Sequence, residues 1–241
     1  MKKAVGFTLL LLAAMGSKVS AQEAPVVRSG DPQVDGGRLR PGRWAMMVQI
    51  TPQSGAAIVL ESEHELSKTV HEGQPAWRYV ATMKSARGSM TDTSIVLQDG
   101  LRAVLHMGHN PTRTLALKFD GRRITGAYAR TGAAPVAIDT ETEVPLFDST
   151  IDDLVLVALP LAVGYRRRVP SYVYESGGAV WREIEVTREL EATTPAGSVA
   201  AYEVIVRSAD FTSTYTIAKD TREVLTVTAQ RGAQKYVVAR K

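Results

Sequence analysis

Alternating apolar and polar residues recur in short segments along most of this chain, the pattern of half-buried β-strands. Pro, Gly, Ser or Asp bounds each segment. Asp99-Gly100 and Asp120-Gly121 each separate two further β-rich arms, and Asp-Gly between such arms is a strong hairpin signal. The pattern predicts an antiparallel sheet. Its predicted strands are 43–50, 56–61, 76–83, 90–97, 165–174, 180–191, 199–207, 211–218, 223–230 and 234–239, together with the hairpin arms LRAVLHM, TLALKF and RRITGAYA.

One stretch near the middle, residues 147–174, breaks this pattern. Its apolar residues repeat at helical spacing and also fill the opposite side, so a helix here must be buried. Ser149 is the predicted N-cap, Asp152 and Asp153 lie at the positive end of the helix dipole, and Pro160 ends the helix. The alternative is a buried strand, because short apolar runs fit both structures. The apolar positions are Ile151, Leu154, Val155, Leu156, Val157, Ala158 and Leu159.

Many strands at hairpin spacing around one buried helix predict an all-β fold, a strongly curved antiparallel meander or half-open β-barrel. A short repeat is also visible. IVLQDGLRAVL from Ile95 and YTIAKDTREVL from Tyr215 share an apolar strand, a polar turn and then Arg-x-Val-Leu. The repeat indicates either an internal duplication or the ordinary similarity of two hairpins.

The first residues have the features of a secretory signal peptide. Lys2 and Lys3 precede an apolar run, and Val19-Ser20-Ala21 provides small residues for cleavage after Ala21. The apolar run is too short for a membrane anchor. The sequence contains no cysteine, which excludes a lipid-modified cysteine as well as disulfides and thiolate metal sites.

The remaining chain divides simply. Residues 22–42, rich in Gly, Pro and Asp, predict a flexible lead-in, and 43–241 predict one curved β domain. Three lysines and no acidic residue leave with the signal peptide, so the formal charge falls from +4 to +1. Such a charge gives no indication of nucleic-acid binding.

No known catalytic pattern is present. The segment beginning His64-Glu65 has lysine at position 68, where a zinc-protease helix needs its second histidine. His64 and His71 could share a metal with nearby glutamates if residues 61–72 formed a helix, but surface or turn positions are the favoured interpretation for all four histidines. We therefore expect no metal, no cofactor and no enzyme activity.

Paired carboxylates and aromatic residues have simpler explanations than a site. Asp152/Asp153, Glu141/Glu143 and Glu183/Glu185 could form acid and base pairs. The helix-start role already explains Asp152 and Asp153, and solvated charge is the favoured interpretation in general. Aromatic residues at strand spacing fit an ordinary core better than a sugar or lipid slot. These residues are Trp44, Trp77, Trp181, Tyr79, Tyr128, Tyr172, Tyr174 and Tyr202.

Arginines after the predicted helix provide the one ligand-binding hypothesis. Arg167 lies on the strand face of Tyr165 and Val169, and a guanidinium there could bind an anionic head group at the mouth of a cavity. Leu156 on the helix completes the predicted site. The alternative is a solvated outer face, which also suits Arg122 and Arg123.

Four segments together resemble a family of exported bacterial proteins with a domain of unknown function, similar in fold to the LolA-type lipoprotein carriers. They are PTRTLALKFDGRRITGAY (111–128), PLFDSTIDDLVLVALPLAVGYRRRVPSY (145–172), TPAG (194–197) before AYEVIV, and TYTIAKDTREVLTV (214–227). The resemblance implies a half-open barrel with helix over its concave face, in the periplasm. In the carriers that cavity holds acyl chains. No catalytic residues follow from the resemblance.

These observations favour a periplasmic binding protein that holds a lipid or other hydrophobic small molecule in an apolar cavity. Peripheral contact with a membrane is compatible with this function. The alternative is a structural or assembly factor of the cell envelope that acts through a protein partner.

Overall fold

The computed structural model describes residues 23–85, 88–174 and 177–241. The predicted signal peptide, residues 1–21, lies outside the described residues. Within the described ranges no helix is both long enough and apolar enough to cross a membrane.

The described residues form one fifteen-stranded sheet and one short α-helix, which confirms the predicted all-β fold with a buried helix. The helix, α1, is Asp152–Ala158. The strands are β1 (Gly42–Thr51), β2 (Ile58–His71), β3 (Gln74–Ser85), β4 (Gly88–Leu97), β5 (Ala103–Asn110), β6 (Arg113–Asp120), β7 (Arg123–Arg130), β8 (Val136–Glu141), β9 (Phe147–Asp148), β10 (Arg166–Val173), β11 (Gly178–Thr194), β12 (Gly197–Arg207), β13 (Thr212–Ala218), β14 (Val224–Arg231) and β15 (Gln234–Arg240).

The sheet consists of two meanders joined in its middle by β1 and β15. Its order runs from β8 back to β1, then from β15 back to β9. Every neighbouring pair is antiparallel except β9 with β10. The sheet is therefore a curved meander with β8 and β9 at its two ends, and it does not close into a barrel through backbone pairing.

Both predicted Asp-Gly hairpins are confirmed. Gly121 has φ +59° in the two-residue turn where Asp120 pairs with Arg123. Gly100 has φ +62°, and an added Cβ would lie 2.4 Å from the backbone of Gly30, so only glycine fits this turn.

The apolar run forms the helix α1, which ends just before Pro160 as predicted, so the buried-strand alternative is wrong. The predicted N-cap, Ser149, is also wrong. A 3-10 turn, Ser149–Ile151, precedes α1, and the Asp148 side chain caps it by accepting a hydrogen bond from the Thr150 N–H at 3.0 Å. The Asp148 carboxylate also accepts a hydrogen bond from Ser94 of β4, so it joins this turn to the sheet.

We call the sheet face against which α1 packs the inner face. Residues of α1 share one apolar cluster with β2, β3, β11, β12 and β13. A second cluster joins β6 and β7 to Tyr172 of β10, where the Tyr172 ring meets Phe119 edge to face at 6.2 Å. The sheet thus curls until the side chains of its two halves meet.

The segment before β1 belongs to the folded unit. Val27 and Val34 are fully buried, and Val26 forms a parallel bridge with Arg168 of β10. The Trp77 indole N–H donates to the Gly36 carbonyl at 3.0 Å. Residues 23–41 therefore pack against the sheet, although their composition predicted a flexible lead-in.

The two halves of the predicted repeat occupy corresponding hairpins, β4–β5 and β13–β14. A register shift lies at Ile95/Val96 in the first and at Thr216/Ile217 in the second. Leu101 and Arg222 both have positive φ, 46° and 59°, in the turns that follow. When the two segments are aligned, Leu101 corresponds to Thr221 and Ile95/Val96 to Tyr215/Thr216, so both irregularities are offset by one position and both interpretations of the repeat stay open.

Candidate functional site

A cavity of about 380 Å³ lies between α1 and the inner face, next to the central β1–β15 pair. The segment 38–42 and the turn before β14 border it. Its volume is at the lower end of the range for small-molecule sites, about 300–1,000 Å³.

Strand alternation produces the sheet wall of the cavity. Trp44, Met46 and Val48 of β1 line it, and so do Ser62, His64 and Leu66 of β2, at every second position. Leu154 and Val157 of α1 close the opposite side. The body of the cavity is consequently apolar.

His64 is the polar centre of the sheet wall. Its ring stacks on Trp44 with centroids 5.4 Å apart, Nδ1 lies 2.6 Å from the Tyr79 hydroxyl, and Nε2 lies 2.9 Å from Ser62 Oγ. Burial, and then the positive charge of Arg240, lower the pKa of His64 to about 4. His64 is therefore neutral near pH 7.

Ser62 and His64 have the contact expected of a nucleophile and its base, but the surroundings do not suit catalysis. A general base works best with a pKa near the working pH, far above that of His64. A tyrosine hydroxyl, not a carboxylate, holds the other ring nitrogen. The arrangement is a neutral hydrogen-bonding wall.

Arginines border the cavity where it meets the segment 38–42 and the turn before β14. Arg240 lies over the Trp44 ring at 5.6 Å and pairs with Glu223 at 2.8 Å. Arg38 donates to the Leu159 carbonyl at 2.8 Å, just beyond α1. Arg40 and Arg222 complete this group, which we call the arginine rim.

The start of α1 carries two carboxyl groups inside the fold. Asp152 accepts from Ser171 Oγ and pairs with Arg182, both at 2.7 Å, and burial raises the pKa of Asp152 to about 7. Burial also raises the pKa of Asp153, which lines the cavity and bonds Tyr215. The predicted position of Asp152 and Asp153 at the start of the helix is confirmed. The general expectation of solvated charge does not describe this pair, because the first turn of α1 is packed under the sheet.

The other predicted carboxylate and arginine pairs lie at the surface. Glu183 pairs with Arg166, and Glu185 with Arg207. Arg122 and Arg123 form exposed ion pairs with Glu141 and Asp139. These contacts agree with solvated surface charge.

None of the four predicted ligand-binding residues lines the cavity of about 380 Å³. Arg167 lies over the Tyr165 ring at 4.7 Å, and both contact Gln33. Val169 and Leu156 are buried in the core and border a gap of about 20 Å³, room for about one water molecule. Tyr165, Arg167 and Val169 share one strand face, as predicted. That face packs against the core and against the segment before β1, not against the cavity.

The histidines do not form the considered metal site. Residues 58–71 form a strand, so His64 and His71, seven residues apart, face opposite sides of the sheet. Within the described ranges no group of three or more His, Cys, Asp or Glu side chains could hold a metal. The surface interpretation is wrong for His64 and for His106, which is 1% exposed.

His106 belongs to a buried polar cluster that the sequence analysis missed. Its Nδ1 lies 2.9 Å from Asp148 Oδ2, which also accepts from Ser94 Oγ at 2.5 Å. Its Nε2 lies 3.6 Å from Asp92 Oδ1. Burial would lower the pKa of His106, but Asp148 and Asp92 outweigh it and raise the pKa to about 10. We call these four residues the polar clasp.

A second depression, of about 410 Å³, lies mainly over the outer face of β1–β3. Glutamates at alternate positions of β2 line it, and each is paired with a cation. Glu61 pairs with Lys241, Glu63 with Lys84 and Glu65 with Arg43. Because its charges are paired and its lining is more polar than that of the cavity under α1, this depression is the poorer ligand site.

Residues 50–236 match the model of a family described as protein of unknown function (DUF3108). The chain belongs to that family. No curated protein and no solved structure matches the chain. The DUF3108 match confirms the predicted domain of unknown function. It includes Ser62, His64, α1 and Arg222, whereas Trp44, Met46 and Arg240 lie beyond its ends.

Sequence signals for this cavity were weak. Trp44, Met46 and Val48 alternate within a predicted strand, but the same alternation describes an ordinary core. The segment 62–71, which carries His64, was not predicted as a strand because charged residues on its outer face hide the alternation. The cavity depends on where α1 lies across the sheet, which local pattern does not specify.

Proposed function

We propose that this protein binds a lipid or other hydrophobic small molecule in the cavity under α1 and catalyses no reaction. The observation that carries the proposal is an apolar cavity of about 380 Å³ between Trp44, Met46 and the side chains of α1. An apolar ligand there would leave water for contact with these side chains, the main favourable term in such binding.

The cavity wall favours binding over chemistry. Neutral His64 has little basicity, and Tyr79 and Ser62 already occupy both of its ring nitrogens. The buried polar clasp is about 1% exposed at His106, so a substrate in the cavity has no direct access to it. A binding role requires no catalytic activity from either group.

The proposed setting is the periplasm, with the protein acting as a carrier similar to the LolA-type proteins. Support comes from the signal peptide features of residues 1–21 and from the fold pattern, a curved antiparallel sheet with a helix on its inner face. As a carrier, the protein would deliver its bound lipid to a membrane surface or to an envelope protein.

The alternative role, an envelope factor acting through a protein partner, has narrower support. Val59 and Val237 are 57% and 42% exposed on the outer face, on either side of Gln49 in the sheet register. Gln49 separates the two valines, so this surface is less apolar than the cavity.

The test is native mass spectrometry of the protein exported to a bacterial periplasm, followed by organic extraction and lipid analysis. Gly42→Phe should abolish a co-purifying ligand. Gly42 lies on the strand face of Trp44, and a Cβ added there meets no atom within 4 Å, so the ring can enter the cavity without strain. Gln49→Phe, on the opposite face of β1, is the matched control.

Chain length provides an independent measurement. Each buried methylene contributes about 0.8 kcal/mol, so affinity for straight-chain ligands should rise about fourfold per methylene until the cavity is full. A clean apo mass together with no binding across this series would refute the proposal and favour the protein-partner role.

A further inference from the structure

Positive charge is in excess around the cavity. Four arginines line it, Arg38, Arg40, Arg222 and Arg240, against two acidic residues, Asp153 and Glu223. A cavity for an uncharged ligand has no need of such a rim, because each guanidinium loses hydration near an apolar surface. The excess of positive charge therefore indicates a ligand that carries negative charge.

Arg222 is the member of the rim with an unmet bonding requirement. Its Nη1 is buried and has no hydrogen-bond partner among the described residues. Its guanidinium carbon lies 5.8 Å from the Tyr202 ring centroid, and that contact supplies no acceptor to Nη1. A buried donor without an acceptor is costly, and a charged one more so.

The backbone of Arg222 adds a second cost. Its φ of 59° lies in the left-handed region, where a non-glycine residue is uncommon. Glycine would fit this turn with less strain. The turn instead holds a long cationic side chain against the cavity, which is what a binding role would require.

The nearby acidic groups are already engaged. Glu223 pairs with Arg240 at 2.8 Å, and Arg38 contacts Asp35 at 3.3 Å. Asp153 bonds the Tyr215 hydroxyl. Burial, and then the positive charge of Arg38, lower the pKa of Arg222, so an anion beside it would offset both effects.

We propose that Arg222, with Arg38 beside it, binds the anionic head group of an amphipathic ligand whose apolar chain occupies the cavity. The head group is a carboxylate or a phosphate, since a guanidinium presents two parallel N–H groups to the oxygens of either. This inference rests on the proposed function and names the ligand class within it.

The experiment uses ligands with one chain and different head groups: dodecanoate, dodecyl phosphate, dodecanol and dodecyltrimethylammonium. Calorimetric titration of the whole mature protein gives the dissociation constant of each. Dodecanoate or dodecyl phosphate should bind about tenfold or more tightly than dodecanol, and the ammonium compound most weakly. The ratio between the two anions distinguishes a fatty-acid ligand from a phospholipid-like one, and inorganic phosphate alone tests whether the chain is required.

Arg222→Gly removes the guanidinium and relieves the left-handed strain, so the protein should remain folded. We expect the anionic ligands to lose about tenfold or more in affinity and dodecanol to change less than twofold. Arg222→Lys should retain the preference for anions, in weakened form. Arg43→Gln on the outer face is the control for loss of one positive charge.

The outcomes separate the two proposals. Equal binding of dodecanol and the anions, unchanged in Arg222→Gly, would overturn the head-group inference and leave the hydrophobic site intact. Failure of every ligand to bind would overturn both. Loss of dodecanol binding in Arg222→Gly would also contradict the inference, because it would show that Arg222 shapes the cavity instead of binding a charge.

Discussion

His106 on β5 donates a hydrogen bond to Asp148 on β9 across 2.9 Å, joining two strands that share no backbone pairing. Ser94 of β4 bonds the same carboxylate. The two halves of the curled sheet are thus fastened by buried side chains instead of by a strand ladder. The same carboxylate caps the turn that leads into α1, so the polar clasp also fixes where the helix begins.

Removing the histidine should destabilise the protein strongly. His106→Leu leaves Asp148 and Asp92 without their cation, and breaking a buried ion pair on one side costs about 3–5 kcal/mol. Urea unfolding measures this loss. His109→Leu, at an exposed position of the same strand, should change the free energy of unfolding by less than about 0.5 kcal/mol. Similar values for the two variants would contradict a structural role for the clasp.

The clasp should also impose a pH dependence. The pKa of His106 is raised from 6.5 to about 10, so its contribution is complete below pH 6.5 and is lost as pH rises through 10. Although burial opposes it, the bonds of Asp148 to His106 and Ser94 lower its pKa below 3.8, so that contribution is lost as pH falls below that value.

The stability difference between wild type and His106→Leu should therefore be largest between about pH 4 and 6.5 and should narrow toward pH 10. Equilibrium unfolding at matched ionic strength across this range measures it. A difference that stayed constant from pH 6 to pH 10 would show that His106 is neutral in the folded protein.

A side chain at Gly108 should disturb the polar clasp. A Cβ there would lie 2.8 Å from Asp92 Oδ1 and 3.4 Å from His106 Nε2, forcing the carboxylate away from the imidazole. We expect Gly108→Ala to cost about 1–3 kcal/mol. Gly178→Ala is the matched control, because a Cβ there meets nothing within 4 Å. Equal melting temperatures for these variants would contradict the contact.

Trp44 should report ligand entry by fluorescence. It lines the cavity, whereas Trp77 is 1% exposed in the core and Trp181 stacks on Arg168. Dodecanoate brominated near its chain end should quench part of the emission, and Trp44→Phe should remove that part. Quenching that persists in Trp44→Phe would place the chain elsewhere.

Local patterns were sufficient for the hairpins and α1, because each depends on a few neighbouring residues. Asp120-Gly121 specifies its turn through the left-handed glycine, and Pro160 ends the helix. An apolar cavity was predicted, but its lining residues and the polar clasp were missed because they join residues distant in sequence. His106 and Asp148 are 42 positions apart, and no local spacing indicates their bond.

The segment before β1 shows a different limit of prediction from sequence. Its Gly and Pro residues are typical of unstructured chain, yet Val27, Val34 and Leu39 are buried. The segment forms few strand bonds of its own, so its order depends on the surface that the sheet provides. Composition indicates only what a segment can form alone, whereas here the surface of the sheet determines that the segment is ordered.

The pairing of β1 with β15 also determines the order in which parts of the molecule can fold. Met46 pairs with Arg240, so the central ladder brings together residues almost two hundred positions apart. Contacts of such separation form late, because their loop-closure entropy is the largest. Each meander can fold by local hairpin steps, but the wall formed by Trp44, Met46 and Arg240 exists only after the two meanders join. In the proposed function, ligand binding is therefore coupled to the final folding step, and a bound ligand should slow unfolding by holding the two meanders together.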